Sequence, residues 1–248
     1  MKSITILSGY NKDRSKENFA PLTLHIGEIY AIAGNTGSGK SRLIKDIEQL
    51  VHGDSVTGRT IRIDQQPVLP QARRSLAGQL ISHLEQSMRF VLDLSVRDFI
   101  ALHCKCREHT DIMPETVINK ANELTPEPIW PDQPLTQLSG GQSRALMIAD
   151  IALVCDSPVV LIDEIENAGI DKKKALHLLT SLDKLVLIVT HDPHTALMAN
   201  KRIIMKHGAI SCILERSKEE EALFSELDIY YERQTALQKT LRQGDFLS

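Results

Sequence analysis

The chain has 248 residues, 42% of them hydrophobic and 25% charged, with a formal net charge of −3. That is room for one α/β domain with its own core, and too apolar for a disordered or fibrous chain. The balance of charge provides no basic field for nucleic acid, no apolar run approaches the roughly 18 residues of a membrane span, and four cysteines (Cys104, Cys106, Cys155, Cys212) do not make a disulfide framework over this length. The polar start MKSITILSGY does not read as a secretory signal, so a reduced, soluble, cytoplasmic chain is expected.

Ile4 and Ile6, then Leu22, Leu24 and Ile26, alternate as in strands, and Ile29–Ala33 is a short apolar run that ends at a glycine. Leu43, Ile44, Ile47 and Leu50 recur at helical spacing, so 41–50 reads as a helix. Strands are expected at 60–63 and 80–84, and helices at 95–106 and 114–124. The stretch from Pro126 to Pro134 is too rich in proline to be helical throughout. The apolar segment 145–155 reads as a buried helix, and the runs 159–162 and 185–189 as strands covered on both faces. Strands alternating with helices predict an α/β fold with a parallel sheet and right-handed crossovers. The tail, 217–242, reads as a charged amphipathic helix with a stripe of Leu223, Leu227, Tyr230, Leu237 and Leu241. It either packs on its own domain or serves as a docking or dimerisation helix.

Two motifs carry chemistry. Gly34-Asn35-Thr36-Gly37-Ser38-Gly39-Lys40-Ser41 fits G-x-x-x-x-G-K-S between a strand and a helix. Glycines let such a loop curl its N–H groups around phosphate, and the helix start faces the same anion. Lys40 can reach β- and γ-phosphates, and Ser41 offers a hydroxyl to Mg²⁺. The second motif is the strand Val159–Ile162 ending in Asp163 and Glu164. Asp163 suits a Mg²⁺ ligand and Glu164 a base that polarises an attacking water. Glu166 reads as a solvated loop charge.

Leu-Ser-Gly-Gly-Gln at 138–142 lies between these motifs, with Ser139 24 residues before Asp163. Together the three resemble the ATP-binding cassette (ABC) ATPase family over most of the chain, from about Tyr10 to His207. The resemblance implies a P-loop NTPase core with a mostly parallel sheet and flanking helices, N-terminal antiparallel strands and a small helical subdomain. The implied division is 1–86 with 141–215 for the core, 87–140 for the helical subdomain, and 216–248 for the C-terminal helix. It implies ATP and Mg²⁺ as ligands. Ser139, Gly140, Gly141 and Gln142 are then expected to face the γ-phosphate of another subunit's ATP. Gln86 matches the family's Q-loop glutamine, also a metal ligand, with Gln79 the weaker candidate. His191 matches the switch histidine, and Tyr10 the aromatic residue that stacks on adenine, with Phe19 as the alternative.

One stretch departs from the family. After Asp163-Glu164 the usual proline is Ile165, and the D-loop aspartate, taken as Asp171, comes one residue late. The string 163–170 is also similar to the ATP-binding activation component of methyl-coenzyme M reductase. The implied partners are a second copy or a paralogous ABC ATPase in a head-to-tail dimer, and a membrane permease that holds the chain at the inner face of the membrane. The alternative is a soluble ATPase that remodels or activates a metalloenzyme; nucleic acid is not an expected partner. His103, Cys104, Cys106 and His109 invite a metal reading, but their spacing is no recognised zinc pattern, and ordinary residues on a helix are the simpler reading.

Overall fold

The computed structural model describes residues 1–109 and 111–246, with the backbone only at 167 and 168. The chain opens with β1 (Ser3–Leu7), β2 (Leu22–His25) and β3 (Ile29–Ala33), then α1 (Lys40–Glu48). The strand β4 (Thr60–Ile63) pairs with β1 and with the two-residue β5 (Gln66–Pro67), closing an antiparallel sheet of order β2-β1-β4-β5. Next come α2 (Pro70–Leu80) and β6 (Ile81–Leu84). A helical layer follows: α3 (Val96–Cys106), α4 (Pro114–Asn122) and α5 (Gly140–Leu153). The chain then returns to the sheet through β7 (Val159–Asp163), α6 (Lys172–Ser181), β8 (Leu185–Val189), α7 (Pro193–Met198), β9 (Lys201–Lys206) and β10 (Ala209–Glu215), and ends in α8 (Lys218–Gln243).

The main sheet runs β10-β9-β3-β8-β7-β6. Every pairing is parallel except β10 with β9. Both faces of β7 and β8 are covered, which explains their continuous apolar sequences. One apolar core fills the space between the two sheets and α1, with Ile4, Leu24, Ile32, Leu43 and Ile61. The other joins the opposite face of the main sheet to α3–α6, with Leu84, Ile100, Val117, Leu146, Ile162 and Leu176.

Caps mark most helix starts. Ser95, Asp171 and Asp192 accept the N3 backbone N–H of α3, α6 and α7, while Ser139 and Ser217 form capping boxes with Gln142 and Glu220. The helix α1 starts instead at Gly39, with no side-chain cap and no acid in its first turn.

The structure differs from the sequence expectations in three places. Leu80 ends α2 rather than starting β6, because Pro70, directly after Leu69, opens a helix at its first position and that helix runs up to the strand. The buried helix expected at 145 starts at Gly140, where Ser139 caps it. In α8 the apolar stripe is not the packed face: Leu223, Tyr230 and Leu241 are exposed. The helix is held by Phe224 and Tyr231, which stack on His194 of α7, and by ion pairs from Lys173 to Asp228 and Arg202 to Glu220. Aromatic and ionic contacts outweigh the aliphatic stripe there, which periodicity of leucines alone does not reveal.

Candidate nucleotide site

The carboxyl ends of β3 and β7 lie at one edge of the parallel sheet, where α/β proteins bind ligands. After β3, the chain curls through Gly34 (φ 150°) and Gly39 (φ 107°). A Cβ on Gly34 would stand 2.4 Å from the Met205 carbonyl oxygen, and one on Gly39 2.8 Å from the Gly208 Cα, so only glycine fits either place. Lys40 Nζ donates to the carbonyls of Gly34 (2.7 Å) and Asn35 (3.1 Å), which centres its charge in the loop. Burial draws its pKa below the ordinary lysine value, and the Glu164 charge works against that.

The loop is braced from outside. The Gly208 N–H donates to the Ser38 carbonyl (2.8 Å), and Lys12 Nζ donates to the Gly37 carbonyl (2.7 Å). Gly208 is held in turn by the buried Arg59, whose guanidinium donates to its carbonyl (2.8 Å) and pairs with Glu17 and Asp46. Lys12, Arg59 and Gly208 belong to no motif in the sequence; each reaches the loop only through the fold.

At the end of β7, Glu164 takes a left-handed conformation (φ 47°, ψ 63°), with its N–H donating to the Val189 carbonyl at 2.9 Å. The buried Ile165 anchors the next turn in the core. Gln86 Nε2 donates to Glu164 Oε2 at 2.7 Å, joining the segment after β6 to this carboxylate. Arg144 of α5 donates to the Glu85 carbonyl at 2.8 Å and to the Asp163 carbonyl, so it ties the ends of β6 and β7 together. Burial lowers its pKa, opposed by the charges of Asp163, Glu166 and Glu164. His83 of β6 lies with Nε2 3.5 Å from Asp163 Oδ2 and Nδ1 3.4 Å from Glu48 Oε1. Burial alone would lower the pKa of this imidazole, but Asp163 and Glu48 together raise it.

Glu166 corrects the reading of a solvated charge. Its Oε1 accepts the Thr190 hydroxyl (2.8 Å) and the His191 N–H (3.2 Å), and its Oε2 is buried. It therefore fixes the backbone from which His191 projects.

A cavity of about 370 Å³ is lined by Thr36, Gly37, Lys40, Ser41, Gln86, Asp163, Glu164 and His191, among others. The expected phosphate, metal and hydrolytic residues thus meet in one place. The chemistry fits a nucleotide with its magnesium: an uncapped helix start and a buried lysine suit phosphate, and the oxygens of Ser41, Gln86 and Asp163 form a hard donor set. The remaining expected residues lie elsewhere. Tyr10 is half-exposed and packs on Gly58, two residues before Lys12, whereas the Phe19 ring packs against the core. Gln79 belongs to α2 and is exposed.

Ser139, Gly140, Gly141 and Gln142 open α5 and do not line the cavity. Ser139 Oγ donates to Glu127 Oε2 at 2.6 Å, and Gln142 Nε2 to the Pro128 carbonyl at 2.7 Å. The Gln142 amide therefore shapes the loop of its own chain. Asp171 caps α6 and donates its N–H to the Leu124 carbonyl, also outside the cavity. Between Glu164 and Asp171 the extra residue is absorbed by a 3-10 turn at 165–168 and a left-handed Gly169.

Residues 18–167 match the family model described as ABC transporter. The chain is similar to an uncharacterised ABC transporter ATP-binding protein of Methanocaldococcus jannaschii, at 44% identity over all of this chain and 95% of that protein. It is 32% identical to the macrolide export ATP-binding/permease protein MacB of Burkholderia lata, over 81% of this chain and 30% of that one. Among solved structures, a dimeric ABC transporter cassette shares the fold with a TM-score of 0.65 at 22% identity, over 86% of this chain and 98% of the other.

Proposed function

This chain belongs to the ABC transporter family and is an ATPase, and from that premise we propose that it works as one of two subunits paired head to tail around two ATP molecules, driving a membrane permease. The observation that carries the pairing is the separation of two phosphate-binding helix starts. Gly39–Ser41 open α1 on the cavity, whereas Ser139–Gln142 open α5 away from it. A second copy turned head to tail brings its Ser139 hydroxyl and Gly141 N–H to the γ-phosphate held by Lys40. Every motif is present, so two copies form two competent sites; a paralogous ATPase is the other possible twin.

Within the closed site, Glu164 accepts a proton from the attacking water as it adds to the γ-phosphorus, and ADP leaves. Gln86 and His191, both lining the cavity, orient that water and the γ-phosphate. Mg²⁺ would be held by Ser41, Gln86 and Asp163, and supplies charge neutralisation between the phosphates. Tyr10 stacks on the adenine, and Asp171 acts at the contact between the subunits.

Replacement of Glu164 by Gln tests this reading. The variant is expected to bind Mg-ATP, to turn over about 100-fold or more slower, and to elute as a dimer. A chain that stays monomeric in saturating Mg-ATP would sink the pairing.

The permease reading is supported by the MacB relative, whose name joins ATP-binding and permease functions, and by an apolar groove beside Gln86. Met88, Val91 and Leu92 stand exposed at its rim, with Phe99, Met147 and Ile151 inside. No helix among the described residues is long and apolar enough to cross a membrane, so the proposed location is the cytoplasmic face, reached through the permease. The second reading, activation of a soluble metalloenzyme, rests on the 163–170 string and the late Asp171. Recovery of the native chain with membranes favours the first, and recovery in a soluble complex with a metalloenzyme favours the second.

A further inference from the structure

Three side chains outside the nucleotide site meet between the C-terminal ends of α3 and α5. His103 lies in the last turn of α3, Asp150 in the last turn of α5, and Cys155 two residues past its end. The N–H groups of Val154 and Cys155 both donate to the Asp150 carbonyl, and this tight finish returns Cys155 to the Asp150 side chain. His103 Nδ1 lies 2.8 and 2.9 Å from the two Asp150 oxygens, and Cys155 Sγ 3.9 Å from Oδ2. Asp150 and Cys155 are only 6% and 8% exposed, while His103 reaches the surface.

We propose that His103, Asp150 and Cys155 form a binding site for a divalent transition-metal ion of the zinc type, completed by a water. The argument stands on geometry and donor chemistry. One nitrogen, one carboxylate and one thiol, with their ligand atoms within 4.8 Å of one another, make a mixed set that suits zinc or cobalt rather than magnesium or calcium. A tetrahedral ion about 2.0–2.3 Å from each donor needs donors roughly 3.3–3.7 Å apart. The nitrogen–oxygen contact must open slightly and the sulfur close slightly, within the reach of side-chain torsions.

Protons balance. The thiol of Cys155 is pushed up to about 11 by burial and by the Asp150 charge. A dication between them reverses the second cause; the thiol proton leaves to solvent as the sulfur–metal bond forms. His103 gives Nδ1 to the ion and keeps its proton on Nε2. Arg107 Nε, now 3.4 Å from Nε2, then turns to water. Lys184 is occupied by the Cys155 and Ser157 carbonyls and does not enter the site. The ion would clip α3 to α5 independently of nucleotide binding. Of the cysteines and histidines that stood out in the sequence, only His103 takes part; Cys106 is exposed and His109 pairs with Asp156.

Cobalt titration of the full chain tests the site. In a Cys104→Ser/Cys106→Ser/Cys212→Ser background, one equivalent of Co²⁺ should produce thiolate-to-cobalt absorption and the visible bands of a tetrahedral ion. Zn²⁺ should displace both and raise the melting temperature. His103→Gln, at the exposed side of the site, should weaken binding at least tenfold with an unchanged circular dichroism spectrum. Absence of the thiolate band, or a band that persists after Cys155→Ser, overturns the proposal.

Discussion

Glu127 shows how much a single residue can govern at the signature. Its carboxylate accepts the one proton of the Ser139 hydroxyl, the proton that the proposed pairing offers to a γ-phosphate oxygen of the twin's ATP. It also adds a negative charge where, on that proposal, an anion would arrive. Glu127→Gln is therefore expected to lower the ATP concentration for half-maximal pairing by about threefold, the scale of an exposed charge contact. Light scattering on the Glu164→Gln background measures it; unchanged or weaker pairing would leave Glu127 as a brace of its loop. His83 places its imidazole 3.5 Å from the Asp163 carboxylate from within β6. His83→Phe keeps a planar aromatic ring and loses the polar contact, so the Mg²⁺ needed for half-maximal turnover should rise roughly tenfold while nucleotide binding without metal stays the same. A parallel loss of binding without metal would mean that His83 only supports the fold. The residues that the structure gathers at the cavity were legible where they are local: the glycines and Lys40 at 34–41 and the Asp163-Glu164 pair. His83, Arg144 and Glu166 were not, because the register of β6, β7 and β8 brings His83 to Asp163 and Glu166 to Thr190, and the packing of α5 on the sheet brings Arg144 to Glu85.

At the scale of elements, apolar patterning made α1, α3, α4 and the body of α5 readable, while the start of α5 and the elements α6, α7, β9 and β10 needed the fold. The short α7 has only six residues, too few for a period, and is set by its cap. Asp192 accepts the Thr195 N–H (2.9 Å) and pairs with the nearly buried Lys172 (2.5 Å). Burial would raise its pKa, but the bonds from Lys172 and Thr195 more than reverse that and hold it at about 2. The unfolded carboxyl, near 3.9, takes up protons before the folded one, so this stabilisation is present above about pH 4 and is lost as pH falls toward 2. Asp192→Asn keeps a capping oxygen and takes the counter-charge from Lys172, which keeps the Thr195 hydroxyl and the Tyr231 ring, at a cost of about 1–2 kcal/mol at pH 7. Urea unfolding at neutral pH should show that loss, and the gap from wild type should close between about pH 4 and pH 2. A constant gap would locate the cost in packing rather than in charge.

At the scale of the whole molecule, the proposed pairing gives one chain two phosphate-facing ends, and its tryptophan would report on whether they meet in another copy. Trp130, the single tryptophan, is 65% exposed. It lies on the loop whose Pro128 carbonyl is held by Gln142 and whose Glu127 holds Ser139, so it moves with the signature. The proposed head-to-tail closure would bring that loop against the P-loop face of the twin. Exposed indole emits at long wavelength and shifts to shorter wavelength as water is removed. Mg-ATP added to the Glu164→Gln chain should therefore blue-shift the Trp130 emission in step with dimer formation. Lys40→Ala, which loses the charge that holds the phosphates, should abolish both together. The shift should also grow with protein concentration at fixed ATP, because pairing is bimolecular, whereas a rearrangement inside one chain would not depend on concentration. Dimers that form without any change in Trp130 emission would put the signature loop outside the contact, and the two chains would then be joined by another face.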